Sequence, residues 1–340
     1  MGSSLVEKVV VVLLLFVGLA ASVRVTSEAD SAALPFVILH GIGDQCSNPG
    51  LASLTKSLSK SAGIEGTCIE IGDGVSSSWL MPLYQQVKEV CTKVKALPHL
   101  QAGFNLVGFS QGNVIGRGYI EWCEGGPPVH NFVSVGGPHA GTAAVPLCYY
   151  YSICRLINDV IEIGIYSHFV QTHIAPTGYV KIPTDVRGYL SGCEFLPYLN
   201  NELPSHRNST YKERFSAINK LVLVMFELDS VIIPRESAWF GFYPEDDMRK
   251  VLKPQETDLY KEDWIGLRTL DEAGKVSYVS TPGIHMHVTR GLVDKYILPN
   301  IVPPGRRTTS VGFLKRLASL LETQADENEV VYSPPVKASL

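Results

Sequence analysis

A serine between two glycines, in the sequence GFSQG at Gly108 to Gly112, most constrains the fold of this chain. The apolar residues Phe104 to Val107 before it predict a strand, and the apolar spacing from Val114 to Trp122 after it predicts a helix. A serine at a sharp strand-to-helix turn is presented at the edge of a sheet, and the flanking glycines leave room for the strained backbone. The pattern predicts that Ser110 is a nucleophile. The alternative is an incidental glycine-rich turn.

Apolar strands alternate with amphipathic helices on both sides of this turn. Further strands are predicted at Phe36 to Leu39, Thr67 to Ile71, Phe132 to Val135, Leu221 to Phe226 and Val276 to Val279. Helical spacing of apolar residues occurs at Leu51 to Leu58 and at Leu83 to Val94. Such alternation predicts a mostly parallel central sheet covered by helices on both faces. Together with the serine turn it predicts an α/β class chain with the α/β-hydrolase fold.

The alternation stops between about residues 141 and 215, where tyrosines, prolines and two cysteines occur without an obvious strand. We interpret this stretch as a lid-like insertion over the sheet, within a hydrolase domain that spans about 29–305. Residues 306–340 form a C-terminal tail. Its apolar spacing predicts one amphipathic helix, with the residues Phe313, Leu314, Leu317, Leu320 and Leu321.

The N-terminal segment has the pattern of a secretory signal. Lys8 precedes an unbroken apolar run, Val9 to Ala21, and small residues suited to signal-peptidase cleavage follow. We therefore predict a signal peptide at residues 1–28. A membrane anchor is the alternative, but the run is shorter than the roughly 20 residues that a spanning helix needs. No later stretch reaches that length, so we expect no transmembrane span in the mature chain.

The composition indicates in which kind of compartment the protein works and which class of partner is excluded. Seven cysteines fit an oxidising lumen, where thiols pair and remain paired. The triplet that begins at Asn208 is a candidate glycosylation site. A net charge of -4 and the lack of a basic stripe argue against nucleic acid as a partner.

A serine hydroxyl becomes a good nucleophile only when a base takes its proton, and the base needs an acid to orient it. In this fold the chain order is serine, acid, histidine. Asp229 follows the strand that ends near Phe226, where a loop at the carboxyl edge of the sheet would place it. Glu227 is the competing carboxylate, but it lies within the end of the strand. We predict Asp229 as the acid.

His285 lies in a glycine-containing loop after the last predicted strand and is the predicted base. His287, two residues on, could pair with it at a metal, but no third ligand has a recognisable spacing. We therefore predict no metal site and no cofactor. His130 and His139 precede Asp229, which violates the chain order, and are expected to be structural or close to the substrate.

An oxyanion hole needs two backbone N–H donors aimed at the reacting oxygen. Gln111, the residue after the nucleophile, supplies one, and Ile42 in the glycine-rich loop His40 to Gly43 is the candidate for the other. The alternative for that loop is a plain turn.

These blocks resemble the palmitoyl-protein thioesterases, which remove long-chain fatty acyl groups from cysteines of lipidated proteins. The resemblance covers roughly 36–299. It is carried by five blocks, His40 to Asp44, Gly108 to Gly112, Ser134 to Gly137, Trp239 to Tyr243 and Gly283 to His285. It implies an enzyme with Ser110 as nucleophile, Asp229 as acid and His285 as base, with the oxyanion donors named above. It also implies S-acylated proteins or acyl thioesters as substrates and a lysosomal or vacuolar location; an extracellular one stays open.

The resemblance further implies disulfides between Cys91 and Cys123 and between Cys148 and Cys154. Cys46 is followed by serine here, where animal members have a second cysteine, so that Cys46 pairs with Cys68, with Cys193 or with no partner. Two other positions depart from the family. Asn113 replaces the second of two glycines after the serine, and residues 137–139 differ from the usual polar sequence.

The acyl chain needs an apolar groove, for which the insertion and the loop with Val231 and Ile232 are candidates. Such residues are more often plain core. Two other functions are compatible with the fold. A lipase or carboxylesterase would use the same triad on oxygen esters, and a non-catalytic module would use the fold to bind lipids or proteins.

Overall fold

A computed structural model describes residues 33–144, 164–302 and 327–334. The predicted signal peptide, the predicted tail helix and the cysteines Cys148 and Cys154 lie outside these residues. No helix in the described ranges is long and apolar enough to cross a membrane.

Six parallel strands form the central sheet within the described residues. They are β1 (Phe36–Leu39), β2 (Gly66–Cys68), β3 (Phe104–Phe109), β4 (Val129–Val135), β5 (Lys220–Phe226) and β6 (Val276–Thr281), in the spatial order β2-β1-β3-β4-β5-β6. Every residue of β1 and β3 is buried, because helices cover both faces of a parallel sheet. The chain has the predicted α/β-hydrolase fold.

The strand order reverses direction between β1 and β3. The chain runs from β1 out to β2 at one edge and then returns to β3 on the other side of β1. In open parallel sheets a crevice forms at such a point, beyond the carboxyl ends of the strands, and ligands bind there. The loop after β1 and the turn with Ser110 after β3 both lie at this crevice.

The helices before β5 are α1 (Pro49–Ala62), α2 (Val75–Leu80), α3 (Leu83–Ala96), α4 (Gln111–Trp122), α5 (His168–His173), α6 (Val186–Gly192), α7 (Leu196–Leu199) and α8 (Ser209–Ser216). Those after β5 are α9 (Asp258–Lys261), α10 (Leu267–Glu272), α11 (Arg290–Leu292) and α12 (Leu298–Ile301), with a π-helical stretch at Val293–Ile297. Short 3-10 helices lie at Pro98–Leu100, Ala175–Tyr179, Pro183–Asp185, Pro204–His206, Arg235–Trp239 and Pro254–Glu256.

The first helix shows why the sequence folds locally as it does. In α1, Leu51, Leu54 and Leu58 are buried at a spacing of three and four residues. The Asn48 side chain caps its first turn by accepting a hydrogen bond from the Gly50 amide. Gly63 ends the helix in the left-handed conformation that glycine adopts without a Cβ clash.

The strand β2 is shorter than the sequence predicted, ending at Cys68 rather than at Ile71. The amide of Ile69 still donates to the Ile38 carbonyl at 3.0 Å, but the chain turns away soon after at Gly72, which has a φ of 58°. Apolar periodicity continues through the turn because the residues beyond the strand also face the core: Ile69 and Ile71 are both buried.

Between β4 and β5 the described residues contain the short helices α5 to α8. A buried ion pair in α4 ties this region to that helix: the Arg117 guanidinium lies 2.9 Å from the Glu121 carboxylate and donates to the Asn200 side chain at 2.8 Å. Burial raises the pKa of Glu121 to about 7, although the neighbouring charge of Arg117 opposes the shift. Arg117 also donates to the Leu199 carbonyl at 3.1 Å, which fixes α7 against α4.

Two further strands lie outside the central sheet. They are β7 (Val288–Thr289) and β8 (Val330–Tyr332), which pair in antiparallel orientation. The strand β8 belongs to the C-terminal tail and had no counterpart among the strands predicted from the sequence.

Candidate active site

Ser110 occupies the turn between β3 and α4 with φ 50° and ψ −123°, a conformation that is strained for a residue with a side chain. The flanking glycines are required by close contacts. A Cβ at Gly108 would lie 2.3 Å from the Asn113 side chain, and one at Gly112 would lie 2.4 Å from the Leu39 carbonyl oxygen. The turn therefore packs too tightly against β1 and α4 for larger residues.

The side chains of Ser110, His285 and Asp229 form one continuous hydrogen-bonded chain. The Ser110 hydroxyl lies 2.9 Å from His285 Nε2, and His285 Nδ1 lies 2.7 Å from Asp229 Oδ2. In the tautomer that satisfies both contacts, Nδ1–H donates to the carboxylate and Nε2 accepts from the hydroxyl. This is the arrangement in which a histidine can take a proton from a serine.

Asp229 is held by the backbone of its own loop. Its Oδ1 atom accepts hydrogen bonds from the amides of Val231 at 2.9 Å and Ile232 at 3.0 Å, which leaves Oδ2 for the histidine. The two residues proposed for the acyl groove thus contact the acid through their backbones, and the Ile232 side chain is buried. Their place in a groove stays a prediction.

Glu227, the competing carboxylate, points elsewhere. Its side chain is exposed and accepts a hydrogen bond from the Ser280 hydroxyl at 2.8 Å. The histidine therefore faces Asp229 rather than Glu227, because the loop after β5 turns between them.

The loop after β1 touches the nucleophile. Gly41 packs against the serine, since a Cβ at this position would lie 3.0 Å from Ser110 Cβ. Ile42 is the next residue in the chain. The Gly43 amide donates to the Ser78 hydroxyl at 2.8 Å, which fixes the far side of this loop. Gln111 is the first residue of α4, where a backbone amide has no partner within the helix. Both predicted donors lie beside Ser110, and their role in stabilising an oxyanion stays a prediction.

A pair behind this loop, formed by a buried histidine and a partly exposed glutamate, was not found from the sequence. His40 Nε2 lies 2.9 Å from Glu70 Oε1, and Glu70 Oε2 accepts from the Cys46 amide at 2.8 Å. Burial raises the pKa of Glu70, but the hydrogen bond to His40, the histidine charge and the Cys46 amide outweigh burial, so that the pKa lies below its usual value. Since the carboxylate stays ionised, it anchors both ends of the loop.

The two histidines that precede Asp229, His139 and His130, differ in burial. His139 is fully buried, lies 2.7 Å from the Ser134 hydroxyl through Nε2 and stacks on Phe240 with ring centroids 4.6 Å apart. Burial, followed by the charge of Arg117, holds the pKa of His139 well below its usual value. It therefore serves as a neutral core group. His130 is exposed.

No group of three or more potential metal ligands occurs among the described histidines, cysteines and acids. His287, which follows the base by two residues, belongs to no such group within residues 33–144, 164–302 and 327–334.

The described part of the chain contains two disulfides, Cys46–Cys68 and Cys91–Cys123. The second is the pair that the resemblance implied, and the first resolves the choice left open for Cys46. Cys193 is a free thiol in the core, 2% exposed, and burial raises its pKa to about 12.

Asn208, the candidate glycan acceptor, is exposed at the start of α8. Its side-chain oxygen accepts from the Thr210 amide at 3.0 Å and caps the helix.

Comparison with known proteins gives one consistent family. The sequence profile of the family described as palmitoyl protein thioesterase matches residues 35–285. Palmitoyl-protein thioesterase 1 of Caenorhabditis elegans is 35% identical over 272 residues, which cover 78% of this chain and 90% of that protein. Palmitoyl-protein thioesterase 3 of Dictyostelium discoideum is 33% identical over 257 residues, covering 75% and 86%. The lysosomal thioesterase PPT2 homolog of Drosophila melanogaster is 30% identical over 273 residues, covering 78% and 91%.

Proposed function

This chain belongs to the palmitoyl protein thioesterase family, and from that premise we propose that it hydrolyses the thioesters that join long-chain fatty acyl groups to protein or peptide cysteines. As a member of this family it is a hydrolase of thioesters or esters. The finer proposal is supported by one observation above all: His285 bridges Ser110 and Asp229 at 2.9 and 2.7 Å.

The first half of the proposed reaction transfers the acyl group to the enzyme. His285 accepts the proton of the Ser110 hydroxyl through Nε2 as the oxygen attacks the thioester carbonyl carbon. The tetrahedral intermediate then collapses, the carbon–sulfur bond breaks, and His285 gives its proton to the sulfur, so that the cysteine leaves as a thiol and the histidine is neutral again. Asp229 stabilises the imidazolium that forms, because its Oδ2 lies against Nδ1.

The second half releases the fatty acid. Water attacks the acyl-serine, with His285 again accepting the proton and then returning it to the Ser110 oxygen. In both halves the carbonyl oxygen becomes negative, and we assign its stabilisation to the amides of Ile42 and Gln111. The positive end of α4, whose first turn begins directly after the serine, adds to this stabilisation. The proposed steps use no metal and no organic cofactor.

We propose that the acyl chain is held by the insertion at about residues 141–215 together with the loop of Val231 and Ile232. Val231 supports this proposal because it is partly exposed and its amide donates to Asp229, which places it in the loop that carries the acid.

We further propose that the protein enters the secretory pathway and works in a lysosome or vacuole. Two disulfides support this route, since disulfides persist in oxidising compartments. The printed name of the Drosophila relative calls it lysosomal. N-terminal sequencing of the mature protein, combined with organelle fractionation, tests the proposal. A protein that retains Lys8 and fractionates with the cytosol would contradict it.

The activity is tested with two substrates of equal chain length, a palmitoyl thioester and the corresponding oxygen ester. We expect a higher kcat/KM for the thioester and loss of both activities in Ser110→Ala. Ser57→Ala, which changes an exposed serine on α1, is the matched control and should retain activity. Equal or better turnover of the oxygen ester would favour a lipase or carboxylesterase. Unchanged hydrolysis in Ser110→Ala would mean that the reaction takes place elsewhere.

A further inference from the structure

The C-terminal tail returns to the active-site side of the molecule. Its strand β8 pairs with β7, which begins three residues after His285, with Tyr332 opposite Val288. The pairing continues beyond the strands, since the Gly291 amide donates to the Glu327 carbonyl at 3.1 Å. The family match ends at residue 285, so the tail lies outside the region shared with the family profile.

Tyr332 is the residue that the tail buries. Only 2% of it is exposed, and its ring centroid lies 5.2 Å from that of Phe109, the residue directly before the nucleophile. Its hydroxyl donates a hydrogen bond to the Asp44 carboxylate. Burial, and after it the charge of Asp44, raises the pKa of Tyr332 well above its usual value, so the phenol remains a donor at every physiological pH.

Asp44 ends the loop that carries the oxyanion candidate Ile42. Its carboxylate is completely buried, and its Oδ1 atom accepts from the Gln45 amide at 2.8 Å and from the Asn48 side chain at 2.7 Å. Tyr332 supplies the donor for the other oxygen. A buried carboxylate needs such donors, because an unsatisfied ionised oxygen is costly away from water.

The Tyr332 side chain thus contacts two elements that meet at the nucleophile, and the backbone of its strand β8 pairs with a third element. Tyr332 contacts β3 at Phe109 and the loop after β1 at Asp44, and its backbone pairs with β7 after His285. These three elements carry Ser110, Ile42 and His285, whose relative positions must hold to within about 0.5 Å for efficient catalysis.

We propose that Tyr332 is a positioning residue for the oxyanion hole: its hydrogen bond to Asp44 fixes the loop of Ile42 relative to Ser110. This inference rests on the proposed function of that site. Losing an oxyanion donor outright typically lowers kcat by about 100- to 1,000-fold. Loosening the loop while keeping the donor should lower kcat by a smaller factor, about tenfold.

Tyr332→Phe tests the inference, because it removes the hydroxyl and keeps the buried ring. Tyr84→Phe, which changes a tyrosine of α3 that is 61% exposed and lies outside the insertion, is the matched control. Two readouts are measured on the full chain: kcat and KM on a palmitoyl thioester, and the rate at which a fluorophosphonate labels Ser110. The second readout needs the serine, the base and the oxyanion hole but no natural substrate.

We expect Tyr332→Phe to lower kcat and the labelling rate together by about tenfold, with KM unchanged within about twofold. The control should match the wild type. If the variant only lowers the melting temperature, while kcat and labelling of the folded protein stay at wild-type values, Tyr332 is merely structural and the inference is overturned. A wild type that fails to label at Ser110 would instead refute the proposed function.

A double-mutant cycle with Asp44→Ala checks that the effect passes through this hydrogen bond, because alanine leaves no polar group for the Tyr332 hydroxyl. Since both changes remove the same contact, adding Tyr332→Phe to Asp44→Ala should lower the labelling rate by less than about twofold. A further tenfold loss would show that Tyr332 acts independently of Asp44 and would overturn the inference.

Discussion

Replacing Asp229 by asparagine should place the histidine in the wrong tautomer. In the structure Oδ1 of Asp229 accepts from the amides of Val231 and Ile232, and Oδ2 faces His285 Nδ1. The asparagine oxygen will take the place of Oδ1, because two N–H donors point at it. The NH₂ group then faces Nδ1, which must accept, and the proton moves to Nε2, where it blocks the proton transfer from Ser110.

The expected loss of kcat follows from the free energy needed to rotate the asparagine side-chain amide by half a turn. Rotating the asparagine to restore the working tautomer turns its NH₂ group toward two N–H donors and breaks two hydrogen bonds. Each such loss costs about 1–3 kcal/mol in a buried site, so the productive arrangement lies about 2–6 kcal/mol higher in free energy. The value of kcat for Asp229→Asn should accordingly fall by about 30-fold to about 10⁴-fold.

The assay is steady-state hydrolysis of a soluble acyl thioester, with thermal melting to show that the variant is folded. Glu227→Gln is the matched control, since it makes the same carboxylate-to-amide change on an exposed side chain two residues away. It should keep kcat within about twofold of the wild type. An Asp229→Asn variant with more than a tenth of wild-type kcat, or a Glu227→Gln variant with severely reduced kcat, would refute this reasoning.

Three further changes test the fold around the site. Replacing Cys91 and Cys123 together by serine opens a loop with a sequence separation of 32 and should lower the free energy of unfolding by about 3–4 kcal/mol, measured by denaturant titration under non-reducing conditions. Glu121→Gln should flatten the pH dependence of stability. The folded-state pKa of Glu121 is raised to about 7 by burial despite Arg117, so the folded wild type binds the extra proton and loses stability as pH rises from about 5 to 7; thermal melts of both proteins across this range show whether the slope disappears. Gly112→Ala places a Cβ 2.4 Å from a backbone oxygen of β1 and should cost about 1–3 kcal/mol, measured as a lower unfolding midpoint; an unchanged midpoint would mean that the turn has room to adjust.

Much of the sheet could be predicted because its signals are local. The strands β1, β3 and β5 are short apolar runs buried on both faces, and the helix α1 shows its core face as a repeat of leucines. The end of β2 was placed too late, since apolar residues continue into the turn that follows the strand.

The three residues proposed for catalysis could be selected because chain order and strand ends constrain them. Each follows the carboxyl end of a parallel strand, β3, β5 or β6, and these ends meet at one edge of the sheet. The choice of Asp229 over Glu227 assumed that Glu227 lies within the end of β5, but the strand ends one residue earlier, at Phe226. Glu227 is instead set apart by its contact with Ser280.

The contacts that support the site could not be predicted. Tyr332 and Asp44 are 288 positions apart, and neither residue type nor spacing connects them. Two other contacts likewise join the loop after β1 to the edge of the sheet: the pair of His40 with Glu70 and the disulfide of Cys46 with Cys68. Both depend on how the chain packs after its strands form. A single sequence records local periodicity, whereas such contacts are set by tertiary packing.

The central claim is that Ser110 carries the acyl group between the two halves of the reaction. Rapid acid quenching of the enzyme during turnover of a palmitoyl thioester, followed by peptide mass spectrometry, tests it directly. We expect an acyl adduct on the peptide at Ser110 that disappears as substrate is consumed. Steady turnover with the acyl group on another residue, and none on Ser110, would contradict it.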